Sequence, residues 1–307
     1  MSIDFELNLQ TLIDRADERA ALAAPTLAFE HLDTLWLQVT GTLCNLACLH
    51  CFISCGPNND SHPMMTTEQV FNALDVARAH APKEIYFTGG EPFMHPDIRA
   101  IIMRSLELAP LSILTNGILI DDEMARWLGE TFRASRYSLD LRVSLDGTTS
   151  EENDAIRGRK TFEQILGAID RLWANRVNPV ITVTTCHADL GAADGRQRFI
   201  DLLRARGIDK PRLKFLSPFK IGREERRDAG YAAYERLVEG DLLEGEEHDL
   251  QCSSCRMVTA NGVFPCPILI EVENARMGDD LGDALVPIKL DHPACYTCHV
   301  EGVTCRT

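Results

Sequence analysis

Six short segments rich in apolar and β-branched residues recur along the first 217 positions, and amphipathic stretches with helical spacing separate them. The strand-like segments are 35–40, 84–88, 111–115, 140–145, 180–185 and 212–217; the helix-like ones are 66–80, 97–108, 121–133, 161–175 and 195–206. Thr66 suits the cap of the first helix, and Asp97, after Pro96, opens the second. Strands that alternate with helices pair in parallel through right-handed crossovers. Six units are too few to close an eight-stranded barrel, so the pattern predicts an α/β fold built on a curved, partial (β/α)6 TIM-like barrel. Ligands of such folds sit at the C-terminal ends of the strands. Those ends carry Thr88-Gly89-Gly90-Glu91-Pro92, Thr115-Asn116-Gly117, Ser144-Leu145-Asp146-Gly147 and Ser217-Pro218. The loop after the first strand carries Cys44, Cys48 and Cys51, so these signals converge on one mouth.

The Cys-x3-Cys-x2-Cys spacing offers three thiolates from one short loop. Three thiolates leave one iron of a four-iron cluster open to another ligand. Structural zinc, with Cys55 or His50 as a fourth ligand, is the alternative reading of the same spacing. Of the eleven cysteines in the chain, six cluster near its end: Cys252, Cys255, Cys266, Cys295, Cys298 and Cys305. Clustered cysteines in a reduced compartment point to metal rather than disulfides. Cys186 stands alone at the end of a predicted strand and reads as a small buried residue.

A net charge of −15 argues against DNA or RNA as the main partner. It suits a cationic substrate, or simply keeps the protein soluble. No apolar stretch reaches the length of a membrane span, and the first residues lack the basic-then-apolar pattern of a signal peptide, so the cytoplasm is expected and no membrane partner. Residues 5–23 have the spacing of an amphipathic helix, Arg223 to Arg227 read as a solvated charge run, and 239–249 read as an acidic linker. The chain therefore divides into an N-terminal helical extension (1–34), the barrel (35–225), the acidic linker (226–249) and a small cysteine-rich unit (250–307) that needs a metal staple.

Cys44-x3-Cys48-x2-Cys51 together with Gly89-Gly90-Glu91-Pro92 resembles the radical S-adenosylmethionine (SAM) superfamily; Thr115-Asn116-Gly117 and Ser144-Leu145-Asp146-Gly147 are similar to its other motifs. The resemblance spans about residues 35–220. It implies that Cys44, Cys48 and Cys51 bind a [4Fe–4S] cluster whose open iron takes the amino and carboxylate groups of SAM. A reducing donor such as flavodoxin or ferredoxin then supplies the electron that cleaves SAM to a 5′-deoxyadenosyl radical, which removes a hydrogen atom from the substrate. The same resemblance implies SAM contacts for Gly89, Gly90, Glu91, Pro92, Asn116, Ser144, His50 near adenine, and Arg157 on the SAM carboxylate. An ordinary surface ion pair is the other reading for Arg157.

Gly262-Val263-Phe264-Pro265-Cys266-Pro267 and the closing Cys295-x2-Cys298 resemble the auxiliary-cluster regions called SPASM or twitch, in a shortened form that lacks a seventh cysteine. That implies a second, auxiliary [4Fe–4S] cluster on Cys266, Cys295, Cys298 and Cys305, with Cys252 or Cys255 able to replace one; zinc is the alternative. A spare thiol, Cys252 or Cys255, becomes a candidate hydrogen-atom donor. The expected activity is hydrogen abstraction from a polar small molecule, cationic if the acidic surface is informative, leading to dehydrogenation or epimerisation of a sugar or aminoglycoside. The alternatives are a peptide-modifying maturase of a ribosomal natural product, disfavoured by the roughly 34 residues before the first strand, and a non-catalytic Fe–S or zinc scaffold.

Overall fold

The computed structural model describes residues 22–187, 190, 193–242 and 245–302. The expected helix at 5–23, apart from its last two positions, and Cys305 lie outside the described residues. The chain starts with β1 (Thr26–Leu27) and continues as β2 (Thr34–Gln38), α1 (Thr67–Arg78), β3 (Glu84–Thr88), α2 (Ile98–Leu106), β4 (Leu111–Thr115) and α3 (Asp122–Ala134). Next come β5 (Leu139–Ser144), α4 (Ser150–Arg157), α5 (Thr161–Ala174), β6 (Val180–Thr184), α6 (Ala193–Ala205) and β7 (Arg212–Leu216). A short α7 (Arg223–Asp228), the hairpin β8 (Cys255–Thr259) and β9 (Gly262–Phe264), β10 (Ile288–Lys289) and α8 (Ala294–Val300) complete it.

Strands β2 to β7 pair in sequence order and in parallel, which gives the six-unit partial barrel that the periodicity predicts. Local chemistry agrees with it. Thr66 caps α1 in a full capping box, accepting from Gln69 N while the Gln69 side chain returns to the Thr66 backbone. Asp97 precedes α2 but makes no cap bond; its carboxylate instead accepts from Thr67 Oγ1 at 2.6 Å and ties α2 to the start of α1.

The two faces of each barrel strand differ. Leu35, Leu37, Ile85, Phe87, Ile113, Leu141, Val143, Ile181 and Val183 point outward and pack with the helices into one continuous core. Their alternating neighbours (Trp36, Arg142, Ser144, Thr182, Thr184, Lys214) face a cavity. In a closed barrel the inner residues would pack into filled layers; here they stay polar and enclose space.

The C-terminal region joins the same sheet. Strand β8 pairs in parallel with β2 (Thr34 opposite Cys255, Trp36 opposite Met257), and β9 turns back antiparallel, so the sheet runs β7-β6-β5-β4-β3-β2-β8-β9. All five residues of β8 are buried, Arg256 completely. Its guanidinium donates to the carbonyls of Cys252, Cys255, Ala284 and Val286 and lies 4.1 Å from the Phe29 ring centroid. Burial alone disfavours its charge; four acceptors compensate. Among the described residues, no helix is long and apolar enough to cross a membrane.

Replacing Arg256 with Met nearly keeps the volume and takes the side-chain donor from four carbonyls, two of them buried. Urea unfolding of Arg256→Met should show a loss of roughly 3 kcal/mol or more; a change within the error of the wild-type curve would mean that the side chain does not carry the hairpin.

Candidate active site

A cavity of about 230 Å³ opens at the C-terminal ends of the barrel strands. Of the residues expected to act there, Cys44, Cys48, His50, Cys51, Gly89, Gly90, Asn116, Ser144 and Arg157 line it; Glu91 and Pro92 do not. The cysteine loop that follows β2 is stitched down by backbone bonds from Cys44 N to Gly56 O and from Glu91 N to Leu43 O. Gly90 is required for that approach: a Cβ on it would lie 2.0 Å from Leu43 O and 2.7 Å from Cys44 Cβ. The glycine pair thus lets β3 close on the cysteine loop, a role distinct from the ligand contact expected of it.

Glu91 is fully buried, and protein donors occupy its carboxylate: Thr115 Oγ1 at 2.7 Å, Asn116 N at 2.8 Å and Phe93 N at 3.1 Å. Expected to accept from SAM, it instead fixes the Thr115-Asn116-Gly117 turn. Asn116 then reaches Asn45 Oδ1 at 2.7 Å and Cys44 Sγ at 3.9 Å. Burial pushes the Glu91 carboxyl up to about 7, against the lowering effect of its three donors.

Asp146, part of a recognised motif but not among the expected site residues, organises the other side. It is fully buried; its Oδ2 meets His50 Nε2 at 2.6 Å and pairs with Arg157 Nε at 2.7 Å, and its Oδ1 accepts from Thr184 N at 2.8 Å. Burial would raise its pKa, but the Arg157 charge and the His50 contact outweigh that and hold it below the usual carboxylate range. Arg157 therefore makes a buried pair, not a surface one. It is delivered by α4, a helix that the spacing did not reveal, capped by Thr149 and laid on the 144–147 turn through Asn153 Oδ1, which accepts from Asp146 N. With Nε2 committed to Asp146, the buried Nδ1 of His50 has no hydrogen-bond partner among the described residues.

Arg223 is a second functional residue that sequence reasoning missed. Far from being a solvated charge, it donates to the carbonyls of Cys48 (2.8 Å), Ser54 (2.8 Å) and Cys55, and its own N–H binds Cys51 O. One side chain beyond the barrel thus clamps the whole cysteine loop. Its neighbour Glu224 is fully buried and paired with Arg227. Burial pushes the Cys44 thiol up to about 12 and raises Cys48, whereas the hydrogen bond from Cys55 lowers Cys51 to about 6. Among the described residues, no three His, Cys, Asp or Glu side chains converge on one metal ion. The three thiols line one cavity, and a metal group bound there would release protons from the raised ones.

A second, smaller cavity of about 40 Å³ is lined by Cys252, Cys266, Cys295 and Cys298. Burial raises the Cys295 thiol to about 12, and the same effect raises Cys252. Cys255 lines neither cavity: its thiol donates to Pro265 O at 3.2 Å within an apolar cluster that includes Trp36 and Tyr86. Cys252 rather than Cys255 therefore joins the C-terminal group, and neither thiol, nor Cys186, lines the main cavity.

An open parallel barrel with three cysteines of one loop at its mouth defines an enzyme built to hold a metal cluster. The chain matches the Radical SAM superfamily over residues 39–213 and belongs to it; its cofactors are a [4Fe–4S] cluster and SAM. It is 30% identical over 153 residues to "Mycofactocin maturase MftC" of Mycobacterium ulcerans, covering 49% of this chain and 40% of that protein. It is also 30% identical over 131 residues to "Antilisterial bacteriocin subtilosin biosynthesis protein AlbA" of Bacillus subtilis, covering 42% and 28%. The chain thus spans well under half of these relatives. Its fold resembles that of anSMEcpe with bound AdoMet and Cp18Cys peptide (TM-score 0.59, 17% identity, covering 82% of this chain and 79% of that one).

A carboxyl whose folded pKa lies near 7 and whose unfolded value lies near 4.5 stabilises the fold fully only below the unfolded value. That contribution is lost as pH rises towards and through about 7. Between pH 5 and pH 8 the unfolding free energy of the wild type should fall relative to Glu91→Gln by roughly 2.5 kcal/mol; parallel pH profiles from urea unfolding would refute the assignment.

Proposed function

We propose that this chain is a radical SAM enzyme that modifies a peptide, with Cys44, Cys48 and Cys51 holding the SAM cluster and Cys252, Cys266, Cys295 and Cys298 holding an auxiliary [4Fe–4S] cluster. The reading is carried by one observation: three cysteines of a single loop line the cavity that the strand ends also form, so the cluster and the substrate share one chamber. A relative named as a maturase, another named for bacteriocin biosynthesis and a peptide-bound neighbour of the same fold favour a peptide over the free sugar or aminoglycoside expected from the surface charge. The segment 226–249 then bridges the barrel and the auxiliary unit.

When bound, the cluster and SAM supply one-electron cleavage of the sulfonium and abstraction of a hydrogen atom. The chain supplies the geometry. Arg223, on the cavity lining, holds the cysteine loop through its carbonyls, and Glu91 holds the Asn116 turn against Cys44. The buried Arg157–Asp146–His50 set presents a fixed cation and an acceptor nitrogen on one wall, suited to the SAM carboxylate and the adenine amine. Ser144 lies on the same lining. Leu46, Phe52, Ile53, Phe219 and Ile268 give the lining an apolar part that would shield a reacting carbon from water. The four thiols of the second cavity, which shares Pro267 and Ile268 with the main one, would hold the auxiliary cluster, and a flavodoxin- or ferredoxin-like donor would supply the reducing electron.

Anaerobically reconstituted protein should hold roughly eight irons per chain, falling to roughly four in Cys44→Ala/Cys48→Ala/Cys51→Ala and, separately, in Cys252→Ala/Cys266→Ala. Only the first variant should lose 5′-deoxyadenosine formation on reduction. Iron unchanged in the second variant, or a zinc content of one, would remove the auxiliary cluster from this account. A mass change in a candidate precursor peptide encoded nearby, dependent on SAM, tests the substrate class.

A further inference from the structure

Four cysteines line the main cavity, Cys44, Cys48, Cys51 and Cys55, and the SAM cluster takes the first three. Cys55 is left over, yet it is 3% exposed and held with unusual firmness. The chain after Cys51 turns back on itself. Ser54 N donates to Cys51 O at 3.1 Å, and Ser54 sits at φ +52°, a left-handed conformation that residues with a Cβ seldom adopt. Such a backbone persists only where its surroundings over-determine it. Here Asn59 Nδ2 donates to Ser54 O at 3.0 Å, Arg223 Nη1 donates to the same carbonyl at 2.8 Å, and Arg223 Nη2 donates to Cys55 O. Gly56, the next residue, is bonded on both sides, its N–H to Thr42 O and its carbonyl to Cys44 N, each at 3.1 Å.

The turn delivers two donors to one sulfur. Cys55 N lies 3.3 Å from Cys51 Sγ, and the Cys55 thiol donates to the same atom. Cys44 Sγ takes Leu46 N at 3.4 Å and, more distantly, Asn116 Nδ2 at 3.9 Å. Of these donors, the Cys55 thiol alone can be deleted without touching the backbone or the Asn116 turn. A ligand sulfur grows more negative when its cluster takes up an electron. A donor aimed at that sulfur therefore favours the reduced state over the oxidised one and raises the reduction potential. The burial of Cys55 keeps water from standing in for it.

We infer that Cys55 is a tuning residue of the SAM cluster: its thiol, fixed by the strained Ser54 turn, donates to Cys51 and raises the potential at which the cluster accepts an electron. Cys55 ligates no iron and touches no substrate; it acts through Cys51 and eases the transfer of one electron from the flavodoxin- or ferredoxin-like donor. This rests on Cys51 being a ligand of that cluster.

The test is a redox titration followed by electron paramagnetic resonance, under argon, of the reconstituted holoenzyme. The SAM cluster is recognised as the signal that changes when SAM is added. In Cys55→Ala, at about eight irons per chain, its reduction equilibrium should weaken about tenfold, a fall of about 59 mV for one electron. Cys55→Ser, which keeps a side-chain donor, should stay close to the wild type. A potential unchanged in Cys55→Ala, or lowered as far in Cys55→Ser, overturns the inference. Where Cys55→Ala and Cys51→Ala both lose the cluster, the wild type decides. Its reduced-minus-oxidised infrared difference spectrum should show an S–H stretch moving to lower frequency, because the acceptor sulfur has gained charge; an S–H region that does not change overturns the inference. Iron falling to about four in Cys55→Ala while Cys51→Ala keeps about eight would make Cys55 the ligand, and would overturn the cluster assignment instead.

Discussion

A carboxylate with no exposed surface holds the mouth of this barrel together. Glu91 sits at the end of β3, and its partners are the Thr115-Asn116 turn at the end of β4 and the backbone of Phe93. Without it, Asn116 would not be directed at Asn45 and Cys44, and the adjacent strand ends would lose their mutual register at the cysteine loop. Burying a charge of this kind is costly unless hydrogen bonds surround it. The same logic recurs at Asp146, where two basic side chains share one buried carboxylate, and at Arg256, where four carbonyls share one guanidinium. The fold spends buried polar groups at the three places where distant segments must meet.

The partial barrel explains why its interior can be polar. A closed eight-stranded barrel fills its axis with side chains; six strands leave a gap, and the residues that would have packed there line space instead. Charge then separates by position. The charged side chains that line the cavity are cations, while the buried carboxylates at its mouth, Glu91 and Asp146, are turned to protein donors, and the acidic surplus of the chain lies elsewhere. Net charge is therefore a poor guide to what the chamber accepts, because the field inside it comes from the few groups that face it.

The barrel strands and five of its helices are legible in the sequence because each carries one period over its whole length: alternation in the strands, and an apolar stripe in the helices. Cys44, Cys48 and Cys51 are legible from spacing alone. Helix α4 escapes because eight polar-rich residues give it no apolar stripe, so the position of Arg157 on a buried Asp146 could not be read. The signal that could have found it is Thr149 three residues before Glu152, a capping pattern ahead of a short run. Arg223 reads as solvated because five charged residues stand together; nothing local shows that its partners are carbonyls more than 160 positions away. Strand β8 is hidden by Arg256, its second residue, a type that sequence patterning assigns to a surface. Cys252 and Cys255 are equivalent by spacing, and only the strand, which starts at Cys255 and aims its thiol at Pro265 O, separates them.

The hydrogen-bonded union of β8 with β2 has a further consequence. β2 leads directly into the loop of Cys44, Cys48 and Cys51, and β8 begins three residues after Cys252. Paired backbones in one sheet do not hinge, so the segment that carries Cys252 is tied to the segment that leads into the cysteine loop rather than joined to it by a flexible tether.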